Sequence, residues 1–269
     1  MADRPLDAPD PFTGGSSGAT PDDHAVAAQL ATGAGKLLVE LRAQRAAEGV
    51  VGKPLGRQGD ALAHIWLVEQ LATLRPNDAV LSEEGLEDLA RLRSSRAWIV
   101  DPLDGTREFG EVPRPDWAVH VALVIDGHAA AGAVALPARE LTLASDPAPP
   151  APAPRPAGTP LRIVVSRSRP PFEASMIARA LDGELLPLGS AGAKAMAVVL
   201  GEADVYAHSG GQYEWDSAAP VAVAQAAGLH CSRLDGSPLV YNRPDPYLPD
   251  LLICRPELAT DILATINRW

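Results

Sequence analysis

Trp98-Ile-Val-Asp-Pro-Leu-Asp-Gly-Thr-Arg-Glu-Phe-Gly110 opens as an apolar run that reads as a buried strand, then sets two carboxylates, Asp101 and Asp104, around a proline. Pro102 lacks an amide proton and has a fixed φ, while Gly105 lets backbone amides come close to an anion. Thr106 adds a hydroxyl beside them. A turn of this content suits the joint holding of a cation and a phosphate where a helix begins. Taken alone, two aspartates in a turn are equally explained by capping or a solvated loop, so the reading depends on the rest of the chain.

Two further acidic segments stand at a distance from this turn. Upstream, Leu81-Ser-Glu-Glu-Gly85 puts paired acids after an apolar stretch, and downstream Glu214-Trp-Asp-Ser-Ala-Ala219 puts Asp216 at the expected N-terminus of a helix. Convergence of the three would give a cluster of oxygen ligands suited to a hard cation such as Mg²⁺, which keeps several waters and needs few carboxylates.

Composition agrees with this chemistry and excludes others. The 269 residues are 46% hydrophobic and 21% charged, enough for a sizeable core in one domain or two packed halves. A formal net charge of -11 argues against a nucleic-acid polymer as partner, because binding a polyanion needs a positive surface. Cations held by carboxylates reconcile an acidic chain with an anionic small-molecule phosphate ester. Cys231 and Cys254, the only cysteines, lack the spacing of a zinc or redox motif and read as reduced structural thiols. Neither a leader pattern nor a long apolar span is visible, so no membrane partner and cytoplasmic residence are expected.

Along the chain, residues 1–21 read as a flexible tail rich in Pro, Gly, Ser and Asp. Asp22 or Asp23 is expected to cap a helix running to about Ala47, and a second helix is expected from Asp60 to Leu74. Strands are expected at Ala97 to Val100, Ala118 to Ile125 and Ala129 to Leu136, the last two forming a hairpin through Asp126-Gly127-His128. Residues 22–145 thus form an N-terminal α+β metal-binding half. Residues 146–160, DPAPPAPAPRPAGTP, form a proline-rich loop, and residues 161–269 a C-terminal α/β half. In the latter, Leu161 to Val165 and Ala203 to Ala207 read as strands, and Phe172 to Ala180, Ala191 to Leu200 and Ser217 to Ala227 as helices.

In order and spacing, DPLDGT, the preceding SEEG and the later WDSAA resemble the signature segments of the inositol monophosphatase superfamily from about residue 24 onward. The resemblance implies an α/β (α+β) fold, the layered αβαβα sandwich of the sugar phosphatases, and a lithium-sensitive phosphomonoesterase. It implies two Mg²⁺ ions per site. Glu83, Asp101 and the carbonyl of Leu103 would hold the first; Asp101, Asp104 and Asp216 would hold the second. Asp60 resembles the acidic residue that positions a third, weaker metal through water, although its neighbour Gly59 departs from the usual hydroxyl or alanine. Glu83 and Thr106, with Asp60, would be catalytic, and the amides of Gly105 and Thr106 would receive phosphate. Family members are often dimers, so a homodimer is an allowed partner that no segment specifies.

Three features resemble the bisphosphate nucleotidase branch, the CysQ type. Glu214 precedes Trp215-Asp216 where inositol enzymes more often carry a cysteine. Ser166, Arg167 and Ser168 in Val165-Ser-Arg-Ser-Arg169 offer donors for a second phosphate, with arginine's fork well matched to it. Lys194 in Gly189-Ser-Ala-Gly-Ala-Lys194 would stand near substrate phosphate. The implied reaction is hydrolysis of the 3'-phosphate of adenosine 3',5'-bisphosphate, and of its sulfated precursor, in sulfur assimilation. Tyr206-Ala-His-Ser-Gly-Gly-Gln departs from both branches, which keeps a broad inositol 1-phosphate or fructose 1,6-bisphosphate phosphatase as the rival, and a catalytically weak nucleotide or metal sensor as the rival of another class. His64, His120 and His230 are read as packed or surface residues without a role.

Overall fold

The computed structural model describes residues 18–267 apart from residues 87 and 157. The tail expected over residues 1–21 lies outside the described residues as far as residue 17. Helix α1 (Pro21–Ala47) is capped by Thr20, not by Asp22 or Asp23. Pro21 fits the first turn, and the Asp23 carboxylate accepts the Thr20 amide at 2.9 Å while Thr20 Oγ1 accepts the Asp23 amide at 3.3 Å. Helix α2 (Lys53–Leu74) opens at Lys53 rather than Asp60, because Pro54 suits its first turn and Gly52 adopts φ 66 before it. Asp60 is therefore inside the helix.

The remaining elements follow in the order β1 (Ala79–Ser82), β2 (Arg96–Asp104), α3 (Thr106–Gly110), β3 (Ala118–Ile125), β4 (His128–Leu136) and β5 (Leu141–Ala144). After the proline-rich stretch come β6 (Leu161–Ser166), α4 (Phe172–Ala180), β7 (Gly183–Leu188), α5 (Ala191–Val199), β8 (Val205–Tyr213), α6 (Glu214–Ala226), β9 (His230–Ser232), β10 (Tyr247–Cys254) and α7 (Ala259–Ile266). The hairpin between β3 and β4 turns on Asp126 and Gly127, with φ 49 and 82, as a tight two-residue connection requires.

Two five-stranded sheets result, in the orders β1-β2-β3-β4-β5 and β7-β6-β8-β10-β9. The first is antiparallel except for β1 beside β2. In the second, β7, β6 and β8 run parallel and β10 antiparallel to β8 and β9. Their apolar residues form three clusters. One joins α1 and α2 to the first sheet through Leu30, Leu38, Leu67, Trp98 and Val121. A second fills the space between the sheets, where α5 and α6 contribute Met196, Val198, Val221 and Val223. The third joins the second sheet to α4 and α7 through Ile163, Ile177, Leu252 and Ile262. This is the αβαβα layering, and it places the start of α6 against the end of β2.

Several elements were not anticipated. β5 and β9 are only four and three residues long, β7 carries Pro187 at a sheet edge, and β10 carries Pro249 beside an irregularity between Leu248 and Asp250. Short or proline-bearing strands lack the alternation that identifies a strand. No helix among the described residues is long and apolar enough to cross a membrane.

Candidate metal and phosphate site

The site begins with a break in the β2–β3 ladder. Asp101 faces His120 and Asp104 faces Ala118, with the register irregular between them. Pro102 has no proton for the ladder, and the Leu103 amide turns instead to Asp101 Oδ1 at 3.0 Å. The bulge brings both aspartates to one side. β1 lies parallel to β2 with Ser82 opposite Val100, and the Glu83 amide reaches the Val100 carbonyl at 3.3 Å, so Glu83 emerges beside Asp101. Asp216 enters from the first turn of α6, its carboxylate accepting the Tyr213 amide at 2.6 Å. One carboxylate oxygen from each of Asp101, Asp104 and Asp216 lies within 4.8 Å of the others.

Such crowding is costly without positive charge. Burial, followed by the charge of Asp216, pushes Glu83 up to about 7. Burial and then Glu83 and Asp104 push Asp101 well above the carboxylate range, and burial with Asp104 pushes Asp216 up to about 6. Asp104 differs: burial raises it, but His120, Ser190 and Lys194 outweigh burial and hold it well below. Its Oδ2 receives Ser190 Oγ at 2.5 Å and the Gly192 amide at 2.6 Å, while Oδ1 receives only the Ala191 amide at 3.1 Å and keeps a lone pair. All available donors are oxygens, the set a hard divalent cation takes.

Asp60 reaches this center from α2 because two glycines let the helix lie close. A methyl at Gly56 would stand 2.6 Å from Thr106 Cγ2, and one at Gly59 would stand 2.8 Å from both Leu103 and Phe109. The departure at Gly59 is thus a packing requirement. Thr106 Oγ1 lies 3.4 Å from Asp60 Oδ1 and 3.2 Å from the Leu103 carbonyl. Burial, with Glu84 nearby, raises Asp60 to about 7. Gly105, at φ 86, is the cap of α3, and Thr106 is its first residue. Arg42 fastens this loop from α1, donating to the carbonyls of Phe109, Glu108 and Arg114 at 2.8, 3.1 and 2.9 Å. Each buried carbonyl left without such a donor would cost about 1–3 kcal/mol.

A cavity of about 400 Å³ opens over the cluster, walled by Glu83, Asp104, Gly105, Asp216 and the residues expected for substrate. Ser166, Arg167 and Ser168 line it, but Arg167 is engaged by Glu108 at 2.5 Å and by Glu111 at 2.9 Å. Arg169 also lines it; its backbone amide donates to Ser166 Oγ at 3.3 Å, and its guanidinium makes no ion pair with the described residues. Lys194 is buried, its ammonium donating to the carbonyls of Gly189 and Ser190 at 2.5 and 2.7 Å. Glu214 points away from solvent and accepts the amides of Asn242 and Arg243 at 2.7 and 2.9 Å, bracing that turn.

His120 was read without a role, yet it is central. Its Nε2 lies 3.1 Å from Asp104 Oδ2 and its Nδ1 3.0 Å from the Trp215 carbonyl. Both neighbours are acceptors, an arrangement that favours the charged ring. Burial lowers its proton affinity, but Asp104 outweighs burial and raises it. His120 lies in an apolar strand buried along nearly its whole length, which the sequence made visible; the Trp215 carbonyl, 95 residues away in α6, was not. His64 bonds Ser82 and His230 bonds Ser232, at 2.9 Å each.

The sequence profile described as the inositol monophosphatase family matches residues 22–268. A 3'-phosphoadenosine 5'-phosphate phosphatase of Mycobacterium leprae is 50% identical over 256 residues, covering 91% of this chain and 93% of that protein. The 3'(2'),5'-bisphosphate nucleotidase CysQ of Escherichia coli K12 is 32% identical over 212 residues, covering 70% of this chain and 80% of that protein. Among solved structures, inositol monophosphatase II from Staphylococcus aureus superposes with a TM-score of 0.74 at 20% identity, covering 93% of this chain and 98% of that one.

Proposed function

Because the chain belongs to the inositol monophosphatase family, we propose that its carboxylate cluster serves removal of the 3'-phosphate of adenosine 3',5'-bisphosphate. The chain is a phosphoric monoester hydrolase, and relatives named for this nucleotide support the substrate. The observation that carries the reading is the convergence of Asp101, Asp104 and Asp216 within 4.8 Å beneath a cavity lined by the Ser166-Arg167-Ser168 segment.

In this reading the metal is magnesium. Glu83, Asp101 and the Leu103 carbonyl would hold one ion; Asp101, Asp104 and Asp216 would hold the second; Asp60 would serve a third through water. When bound, such ions acidify a water and neutralise charge on the phosphoryl oxygens. The chain's own residues do the rest. Thr106 Oγ1, 3.4 Å from Asp60 Oδ1, would accept a proton from the attacking water while passing its own to that carboxylate. Glu83 orients the same water. Gly105 and Thr106 present amides to the phosphate. Lys194 supplies positive potential from below, and Arg169, which is not spent on a carboxylate, is better placed than Arg167 to meet the second phosphate. The sulfated precursor as a second substrate, the cytoplasm and a homodimer belong to this reading as well.

The test is phosphate release with magnesium from adenosine 3',5'-bisphosphate, inositol 1-phosphate and fructose 1,6-bisphosphate, compared as kcat/KM. A clear preference for the nucleotide is expected, with inhibition by lithium. Equal or faster turnover of the sugar phosphates would overturn the specificity and keep the metal chemistry, and no turnover would favour a sensor.

A further inference from the structure

At the rim of the cavity three aromatic side chains form a step. Trp215 is partly buried and packs against the cluster between the sheets. Tyr213 lies flat on it, with ring centers 4.7 Å apart and planes 9° from parallel. Tyr213 is the outermost layer of this stack, 45% exposed and part of the cavity wall. Tyr247, opposite Tyr213 in the β8–β10 ladder, meets its ring edge-on at 6.0 Å and 80°. Gly211, at φ 89, leaves room for the Tyr247 ring, which a methyl there would overlap.

We infer that Tyr213, backed by Trp215 and braced by Tyr247, is a stacking platform for the nucleobase of the substrate, and so a determinant of specificity. This rests on the nucleotide reading above. A ring used only for packing would be covered, whereas Tyr213 is 45% exposed and belongs to the wall of the cavity that holds the phosphate site. Its backbone is tied to the chemistry, because the Tyr213 amide donates to Asp216 at 2.6 Å, and its side chain shares one cavity with Asp104 and Asp216. A flat π-face recognises a purine without reading its edge, and a parallel aromatic beneath holds that face rigid. An inositol or sugar phosphate has no ring of that kind to lay on it.

The experiment uses the full chain with magnesium and two substrates that share the reacting ester, adenosine 3',5'-bisphosphate and a 1-deoxyribose 3,5-bisphosphate that has no base. The readout is the ratio of kcat/KM for the first to that for the second. Tyr213→Ala should lower this ratio on the order of 10-fold to 100-fold, the range expected for losing one base stack. Tyr213→Phe should restore most of it. Quenching of a 2-aminopurine analogue on binding should be lost in the alanine variant and return with phenylalanine. A ratio in Tyr213→Ala equal to that of the unaltered enzyme overturns the proposal, as does an equal loss on both substrates, which would mark Tyr213 as support for Asp216. Failure of the unaltered enzyme to hydrolyse the nucleotide at all would instead overturn the functional reading beneath it.

Discussion

His120 Nε2 stands 3.1 Å from Asp104 Oδ2, and the same ring holds the carbonyl of Trp215, the residue before Asp216. One buried histidine ring thus ties the end of β2 to the start of α6 and sets two of the carboxylates against each other. His120→Ala leaves the Asp104 charge buried with one partner fewer, and should lower stability by about 3–5 kcal/mol as well as activity. Gly192→Ala should do similar damage from the other side, since a methyl there overlaps the ring. Thermal unfolding with and without magnesium checks both; variants as stable as the parent would refute the coupling.

Asp101 and Asp104 should respond in opposite ways to the same isosteric change. Asp101 is raised by burial and by its acidic neighbours, so Asp101→Asn removes a repulsive charge and should stabilise the metal-free chain by about 1–3 kcal/mol while abolishing turnover. Asp104 accepts Ser190, Ala191 and Gly192, and Asp104→Asn should destabilise by about 3 kcal/mol and also abolish turnover. The contrast is read from denaturation midpoints in chelator. Two changes of the same sign would be inconsistent with it.

The pH dependence of metal stabilisation follows from the raised carboxyls. Glu83 and Asp60 titrate at about 7 and Asp216 at about 6 in the folded chain, against 4.5, 3.8 and 3.8 ordinarily. Groups raised by folding contribute stability that is complete below their ordinary values and is lost as pH climbs through about 6 to 7. Without divalent cation, Tm should fall from about pH 5.5 to about pH 8, and the increase in Tm given by magnesium should grow over the same span. An increase that shrinks toward pH 8 would contradict this charge balance.

Arg167 and Arg169 should separate by substrate. Arg167 sits between Glu108 and Glu111, so Arg167→Ala frees two carboxylates beside the phosphate site and should slow every phosphate ester alike. Arg169 has no such duty, and Arg169→Ala should raise KM about 10-fold for adenosine 3',5'-bisphosphate but little for adenosine 3'-monophosphate, which lacks the second phosphate. Parallel kinetics on the two nucleotides decide between them, and identical behaviour of the two variants would be a failure of the assignment.

The metal-facing part of the site was legible because local chemistry announces it. Pro102 and Gly105 mark where a strand must break, and Asp101, Asp104 and Asp216 are short acidic side chains at element ends. The specificity-facing part was less so. Arg167 and Arg169 look alike in sequence, and only Glu108 and Glu111, brought across from α3 and the turn after it, distinguish them. Glu214 resembled a charge at the site and is in fact consumed by the 242–243 backbone. Helix starts were misplaced at Asp60 and Asp22 because an aspartate can cap a helix, whereas Thr20 and the Gly52-Lys53-Pro54 step do so here.

By itself the sequence marked most of the helices, several strands and the break in β2, since periodicity and proline and glycine geometry are properties of neighbours in the chain, while the αβαβα class and the expected acidic ligands came from its resemblance to the inositol monophosphatase superfamily. Only the tertiary structure decided that His120 would neutralise Asp104, that Gly56 and Gly59 would bring Asp60 to Thr106, that Lys194 would be buried on carbonyls and that Tyr213 would lie open above Trp215. Those outcomes depend on which groups meet across distant segments, and burial there changes a side chain's charge, partners and exposure in ways that no local pattern encodes.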